Sequence, residues 1–151
     1  MQLQVTGWNT IVVEGNAISL DSSSSPYLNH NNNESDRKIV IGEKSLNISD
    51  KVNFKRKVSQ AITSSPFIKL ENGNYTLTAK VKSSKGFSKL EMYAASNKTF
   101  KYSITEENAN WKTIQIENIK INNGKIEIGF LAEGAANSFC YVDDISLLKI
   151  Q

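Results

Sequence analysis

At 151 residues, 39% hydrophobic and 22% charged, the chain has the size and composition of one globular domain with its own core. Its net charge of +3 is spread along the sequence, a slight lean toward anionic partners without the clustered basic patch of a nucleic-acid binder. One cysteine, Cys140, excludes an internal disulfide, no apolar run is long enough to span a membrane, and the N-terminus lacks the three regions of a signal peptide.

Leu3 to Val13 reads as strand, and Ala17 to Leu20 as a second short one. Asp21 to Lys38 is the longest polar, turn-rich segment, and loops of that length in compact domains carry function or are mobile insertions. Ile39 to Ile41, Lys44 to Ile48 and Asn53 to Ile62 are further strand candidates. The basic run Lys55-Arg56-Lys57 in the last of these reads as a solvated sheet edge. After the turn signal Glu71-Asn72-Gly73-Asn74 the alternation is clean. Tyr75, Leu77, Ala79 and Val81 share one face, and Thr76, Thr78, Lys80 and Lys82 the other, as in a half-buried antiparallel strand. Leu90 to Ala94, Thr99 to Ile104, Trp111 to Ile116 and Ile119 to Ile121 follow. Asn122-Asn123-Gly124 is a hairpin turn leading into Lys125 to Leu131. The closing stretch, Ser138 to Leu148, is apolar except for Asp143-Asp144. Strict alternation turns one of these two carboxylates inward, where it needs a partner or a cation. No segment has a sustained helical period. Short strands at roughly ten-residue spacing predict an all-β, antiparallel β-sandwich or jelly roll over residues 1–151.

Catalytic constellations are missing from the sequence. His30 stands alone in the polar segment, Cys140 has no evident base, and Ser22 to Ser25 lack a nucleophile elbow. Adjacent carboxylates on opposite strand faces cannot flank one glycosidic bond. The expectation is a non-catalytic domain. Sugar recognition needs only an aromatic to cover a pyranose face and polar groups for its hydroxyls. One such set is the outer strand face with Thr78, Lys80, Lys82, Glu91, Tyr93 and Glu127. Another is the loop end with Tyr27, Asn29, His30, Phe87, Asn97 and Lys98. From these, Tyr93, Glu91, Lys80, Tyr27, His30 and Asn97 are the candidate carbohydrate-binding residues. Trp8 and Trp111 are assigned to the core or its margin.

Several pieces carry a resemblance. The run Asn72-Gly73-Asn74-Tyr75-Thr76-Leu77-Thr78-Ala79 through Ser84 resembles a strand of galactose-binding-like jelly-roll carbohydrate-binding modules, the kind appended to xylanases and galactanases. Trp111 to Ile114, Asn123 to Phe130 and Tyr141 to Leu147 are similar to three later strands of those modules. Gly42 to Leu46 and Val58 to Ile62 match two earlier ones. The pieces occur in order from Gly42 to Lys149. The resemblance implies a module, excised from a larger secreted, periplasmic or cell-surface bacterial protein, that tethers a glycan-degrading enzyme to galactan, xylan or pectin. A catalytic domain in the parent chain and a monomeric state go with it, and neither nucleic acid nor membrane is an expected partner. The alternative is a structural or protein-interaction β-sandwich of a glycoside hydrolase without a sugar site. The family also implies a structural calcium, held here by Asp143 or Asp144 and the backbone at Glu43 and Lys44. The Asn-Pro-x-Phe-Glu-like opening that supplies a further carboxylate in those modules has no counterpart in Met1 to Trp8.

Overall fold

The computed structural model describes residues 9–15, 27–28, 38–41, 46–64, 70–104 and 108–150. Among these, eleven strands and no helix occur: β1 (Asn9–Glu14), β2 (Tyr27–Leu28), β3 (Lys38–Ile41), β4 (Leu46–Ser49), β5 (Phe54–Thr63) and β6 (Gly73–Ser83). They continue with β7 (Phe87–Ala95), β8 (Thr99–Ser103), β9 (Asn108–Ile121), β10 (Lys125–Gly134) and β11 (Phe139–Lys149). A five-stranded sheet runs β1-β5-β10-β7-β8. A six-stranded sheet runs β2-β3-β11-β6-β9, with β4 also paired to β11. All ladders are antiparallel. The expected all-β sandwich is the observed fold. The expected strand at Ala17 to Leu20 lies outside the described residues.

The core is the set of side chains that alternation sends inward from both sheets. Val58, Ile62, Leu90, Met92, Ile128 and Phe130 meet Leu77, Val81, Ile114, Ile119, Val142 and Leu147, all of them buried. Cys140 is buried among them, as expected, and burial raises its thiol pKa to about 12.

Two bulges correct the strand reading. Ile116 and Ile119 both face the core although they are three residues apart, because β9 shifts register between them and Asn118 takes φ +59°. The sequence reads as two short strands there, but the chain forms one 14-residue strand. The same device operates in β11. Val142 and Ile145 are both buried, the register against β6 shifts between Asp143 and Ser146, and Asp144 takes φ +49°. Neither carboxylate points inward. Asp143 pairs in register with the exposed Lys80, and Asp144 is exposed and lies 3.2 Å from Lys80 Nζ. The expectation of one buried aspartate is therefore wrong: the inserted residue turns both carboxylates away from the core.

Candidate functional site

The Lys55-Arg56-Lys57 run is not a sheet edge, since β5 lies between β1 and β10. Alternation turns Lys55 and Lys57 outward and Arg56 into the sandwich. There Arg56 Nη2 donates to Asp50 Oδ2 at 2.5 Å and Nη1 to the Ser49 carbonyl at 2.7 Å. Its guanidinium lies 4.9 Å from the centroid of the Phe54 ring. Asp50 Oδ1 accepts the Lys51 N–H, and the Asp50 carbonyl accepts the Asn137 N–H. This buried pair joins the start of β5 to the β10–β11 loop. Phe54 packs edge-on against Phe87, with ring centroids 5.9 Å apart at 88°.

Against that base an open pocket of about 280 Å³ forms where β1, β5, β7 and β10 end together. Phe54, Gly134 and Ala135 supply its apolar lining. Gly86 lines it too; it holds φ +104°, and a side chain there would collide with Ser138. Polar groups ring the apolar part: Glu14, Asn53, Lys55, Ser88 and Glu133. Lys55 Nζ and Glu133 Oε1 are 3.9 Å apart, and Asn53 Oδ1 accepts the Ala136 N–H at 3.0 Å, which fixes the amide. An apolar base with a few convergent polar groups is the general form of a small-ligand site.

The pocket opens onto the outer face of the five-stranded sheet. Lys57, Glu91 and Leu131 share one row, and Ser59, Tyr93 and Gly129 the next. Tyr93 does point to this face, as its phase predicts, but it is only 4% exposed. Its ring lies over Gly129, where an added Cβ would sit 2.9 Å from Cε1, and Lys57 Nζ covers it at 5.6 Å from the centroid. Its hydroxyl donates to Glu127 Oε2, and Lys57 Nζ sits 3.2 Å from the same oxygen. Burial and the adjacent Glu127 carboxylate push the Tyr93 hydroxyl pKa up. The hydrogen bond from Tyr93 and, after it, Lys57 hold the Glu127 carboxyl below its ordinary range. Tyr93 is thus a covered hydrogen-bonding group and not an open stacking platform. Glu91 lies beside it, 3.9 Å from both Lys89 and Lys101.

The candidate residues do not form the two sets expected. Glu91, Tyr93 and Glu127 belong to the five-stranded sheet, whereas Thr78, Lys80 and Lys82 belong to β6 in the other one. The two groups therefore face opposite sides of the sandwich. Phe87 opens β7 and Asn97 follows its far end, roughly 26 Å of strand away. Asn97 instead donates from Nδ2 to Asn122 Oδ1 at 2.6 Å. Tyr27 forms β2 at the edge of the six-stranded sheet through its backbone. His30, Asn29, Glu43, Lys44 and Trp8 lie outside the described residues. The pocket residues Asn53, Lys55, Ser88 and Glu133 were missed. The signal for them was weak: Gly134, which lets the end of β10 approach Phe54, and Gly86, which lets the start of β7 approach Ser138.

Calcium takes six to eight oxygen ligands. Of the residues named for it, the described ones are Asp143 and Asp144. Asp143 Oδ1 accepts the Asp144 N–H at 2.8 Å, and Lys80 already neutralises Asp144. No group of three His, Cys, Asp or Glu able to hold a metal occurs among the described residues. The described donors on their own do not fit the ion.

No protein-family model and no curated protein sequence matches the chain. Solved structures do match its fold. The carbohydrate-binding module TmCBM61, solved with β-1,4-galactotriose, is 20% identical over 97% of this chain and 91% of that one, with TM-score 0.64. The enzymatically active domain of the bacteriophage CBA120 tailspike protein 4 is 12% identical, with TM-score 0.54. There this chain corresponds to 19% of the longer one. A structure described for the promiscuous specificity of carbohydrate-binding modules of the β-sandwich superfamily is 10% identical. It covers 95% of this chain and 55% of that one, with TM-score 0.50. The fold is the jelly-roll sandwich that carbohydrate-binding modules use, as the sequence motifs implied.

Proposed function

We propose that this chain is a non-catalytic carbohydrate-binding module whose sugar site is the pocket between Phe54 and the ends of β1, β7 and β10. The observation that carries this is the pocket's make-up. Gly134 and Ala135 over the buried Phe54 ring form a small apolar floor that suits a C–H edge of a pyranose. Asn53, Ser88, Glu14, Glu133 and Lys55 around it suit the ring hydroxyls as donors and acceptors. The volume accommodates a single sugar unit rather than a long chain. The polar outer face with Lys57, Glu91 and Lys101 gives further units a surface to follow. The fold shared with a module solved with galactotriose supports the reading.

In this reading the module tethers a glycan-degrading catalytic domain to galactan, xylan or pectin, raising its local concentration there, and works outside the cytoplasm. Calcium at Asp143 and Asp144 would take no part in binding at the pocket, because the two residues lie on the other sheet. Any calcium at the aspartates would be structural, completed by the segment carrying Glu43 and Lys44 and requiring release of Lys80.

Native gels containing galactan, xylan or pectin test the proposal. At least one polysaccharide should retard the intact chain, and Asn53→Ala and Glu133→Gln should abolish most of the retardation while melting like the parent. A second reading, a sandwich that only packs against a neighbouring domain, is favoured by Ile11 and Val13 on edge strand β1, which are 53% and 73% exposed. It predicts no retardation by any glycan.

A further inference from the structure

The opposite face of the sandwich carries an arrangement that the pocket does not explain. Trp111 was expected in or beside the core but is 45% exposed. It lies on β9 two residues before Thr113, which pairs with the exposed Lys80, so it projects to the outer face of the six-stranded sheet. Lys82 of β6 is the next residue along that ladder on the same face, at the point where the register shifts. On the other side of β6, Lys82 pairs directly with Tyr141 of β11. Phe139 and Tyr141 stack at 4.9 Å and 26° on that face, flanking the inward Cys140. Trp111, Lys82 and the Phe139–Tyr141 stack therefore cross three neighbouring strands. The outer two rows are about 9.6 Å apart, a span suited to successive rings of an oligosaccharide.

The free polar groups here are mainly donors. The Trp111 indole N–H, the Tyr141 hydroxyl and the Lys82 ammonium group have no hydrogen-bond or ion-pair partner among the described residues. Of the described carboxylates on this face, Asp144 pairs with Lys80, and Asp143 accepts the Asp144 N–H. Aromatic side chains beside an unspent cation match a sugar bearing carboxylates, whose C–H face stacks on Trp111 while the anion meets Lys82.

We propose that Trp111, Lys82 and the Phe139–Tyr141 stack form a second glycan site, on the face opposite the pocket, for an oligosaccharide carrying uronate groups. It is independent of the pocket, and either site can fail without the other.

Calorimetric titration of the intact chain with trigalacturonate and with neutral β-1,4-galactotriose separates the possibilities. Trp111→Ala should weaken trigalacturonate binding roughly tenfold. Lys82→Gln should weaken it several-fold and flatten its salt dependence. Lys125→Gln, at an exposed position outside both sites, should leave it unchanged. Both surface variants should keep the parent's melting midpoint. Equal binding by Trp111→Ala, equal affinity for the neutral trisaccharide at this site, or an equal loss with Lys125→Gln would each overturn the proposal. Sedimentation provides the remaining check: a parent dimer that Trp111→Ala converts to monomer would make the face a self-association surface instead.

Discussion

The Tyr93 hydroxyl, the Glu127 carboxylate and the Lys57 ammonium form one polar cluster on the outer face of the five-stranded sheet. Glu127 ionises more easily in the fold than in the unfolded chain, so its contribution to stability is complete above its unfolded pKa, about 4.3. That contribution is lost as pH falls through the depressed folded value. The carboxylate is 39% exposed, which keeps the effect below about 1 kcal/mol. Denaturant midpoints should fall less between pH 7 and pH 3 in Tyr93→Phe than in the parent; identical acid limbs would contradict the assignment. Gln60 makes a second residue-scale prediction. It is 0% exposed in the core, and neither amide atom has a hydrogen-bond partner. Gln60→Met removes that desolvation cost and should raise stability by roughly 1–2 kcal/mol in urea unfolding. A loss instead would show that the amide is satisfied in solution.

At the level of strands, the two bulges and the buried Asp50–Arg56 pair decide what faces where. Residue types alone placed Tyr75, Leu77, Ala79 and Val81 in the core, because β6 alternates without interruption on its inner face. The same reasoning failed at Asp143–Asp144 and at Glu117–Asn118. An inserted residue leaves no mark in composition and resets the phase of everything after it. Arg56 was misread for a different reason. Its partner Asp50 lies six residues back across a turn, and only the folded chain brings the charges together. Two measurements follow. Arg56→Met leaves the buried Asp50 carboxylate without its cation, and should cost about 3–5 kcal/mol, with the double variant Asp50→Leu/Arg56→Met recovering part of it. At the β11 bulge, Asp144→Gly fits φ +49° and should be neutral or slightly stabilising. Asp144→Val should lose about 1–3 kcal/mol. Equal effects of the two substitutions would argue against the bulge.

For the whole molecule, fold class was readable from strand spacing, turn residues and ordered motifs, and the candidate pocket was not. The pocket is assembled from Glu14, Asn53 to Lys55, Gly86 to Ser88 and Glu133 to Ala135, four segments far apart in sequence that meet only because β5 lies between β1 and β10 and β7 borders β10. Sequence spacing also cannot report which of two sheets a strand joins. That is why Lys80 and Tyr93 were grouped on one surface although they lie on opposite ones. The sandwich thus presents two chemically different faces, a polar pocket at one end of the five-stranded sheet and an aromatic row on the six-stranded sheet. The central claim concerns the pocket. Backbone amide chemical shifts of the isotope-labelled chain, titrated with oligosaccharides from galactan, xylan and pectin, test it most directly. For at least one of them, saturable shifts should centre on Asn53 to Lys55, Gly86 to Ser88 and Glu133 to Ala135. Saturable shifts that leave these three segments unmoved, or no shifts with any of the oligosaccharides, would contradict it.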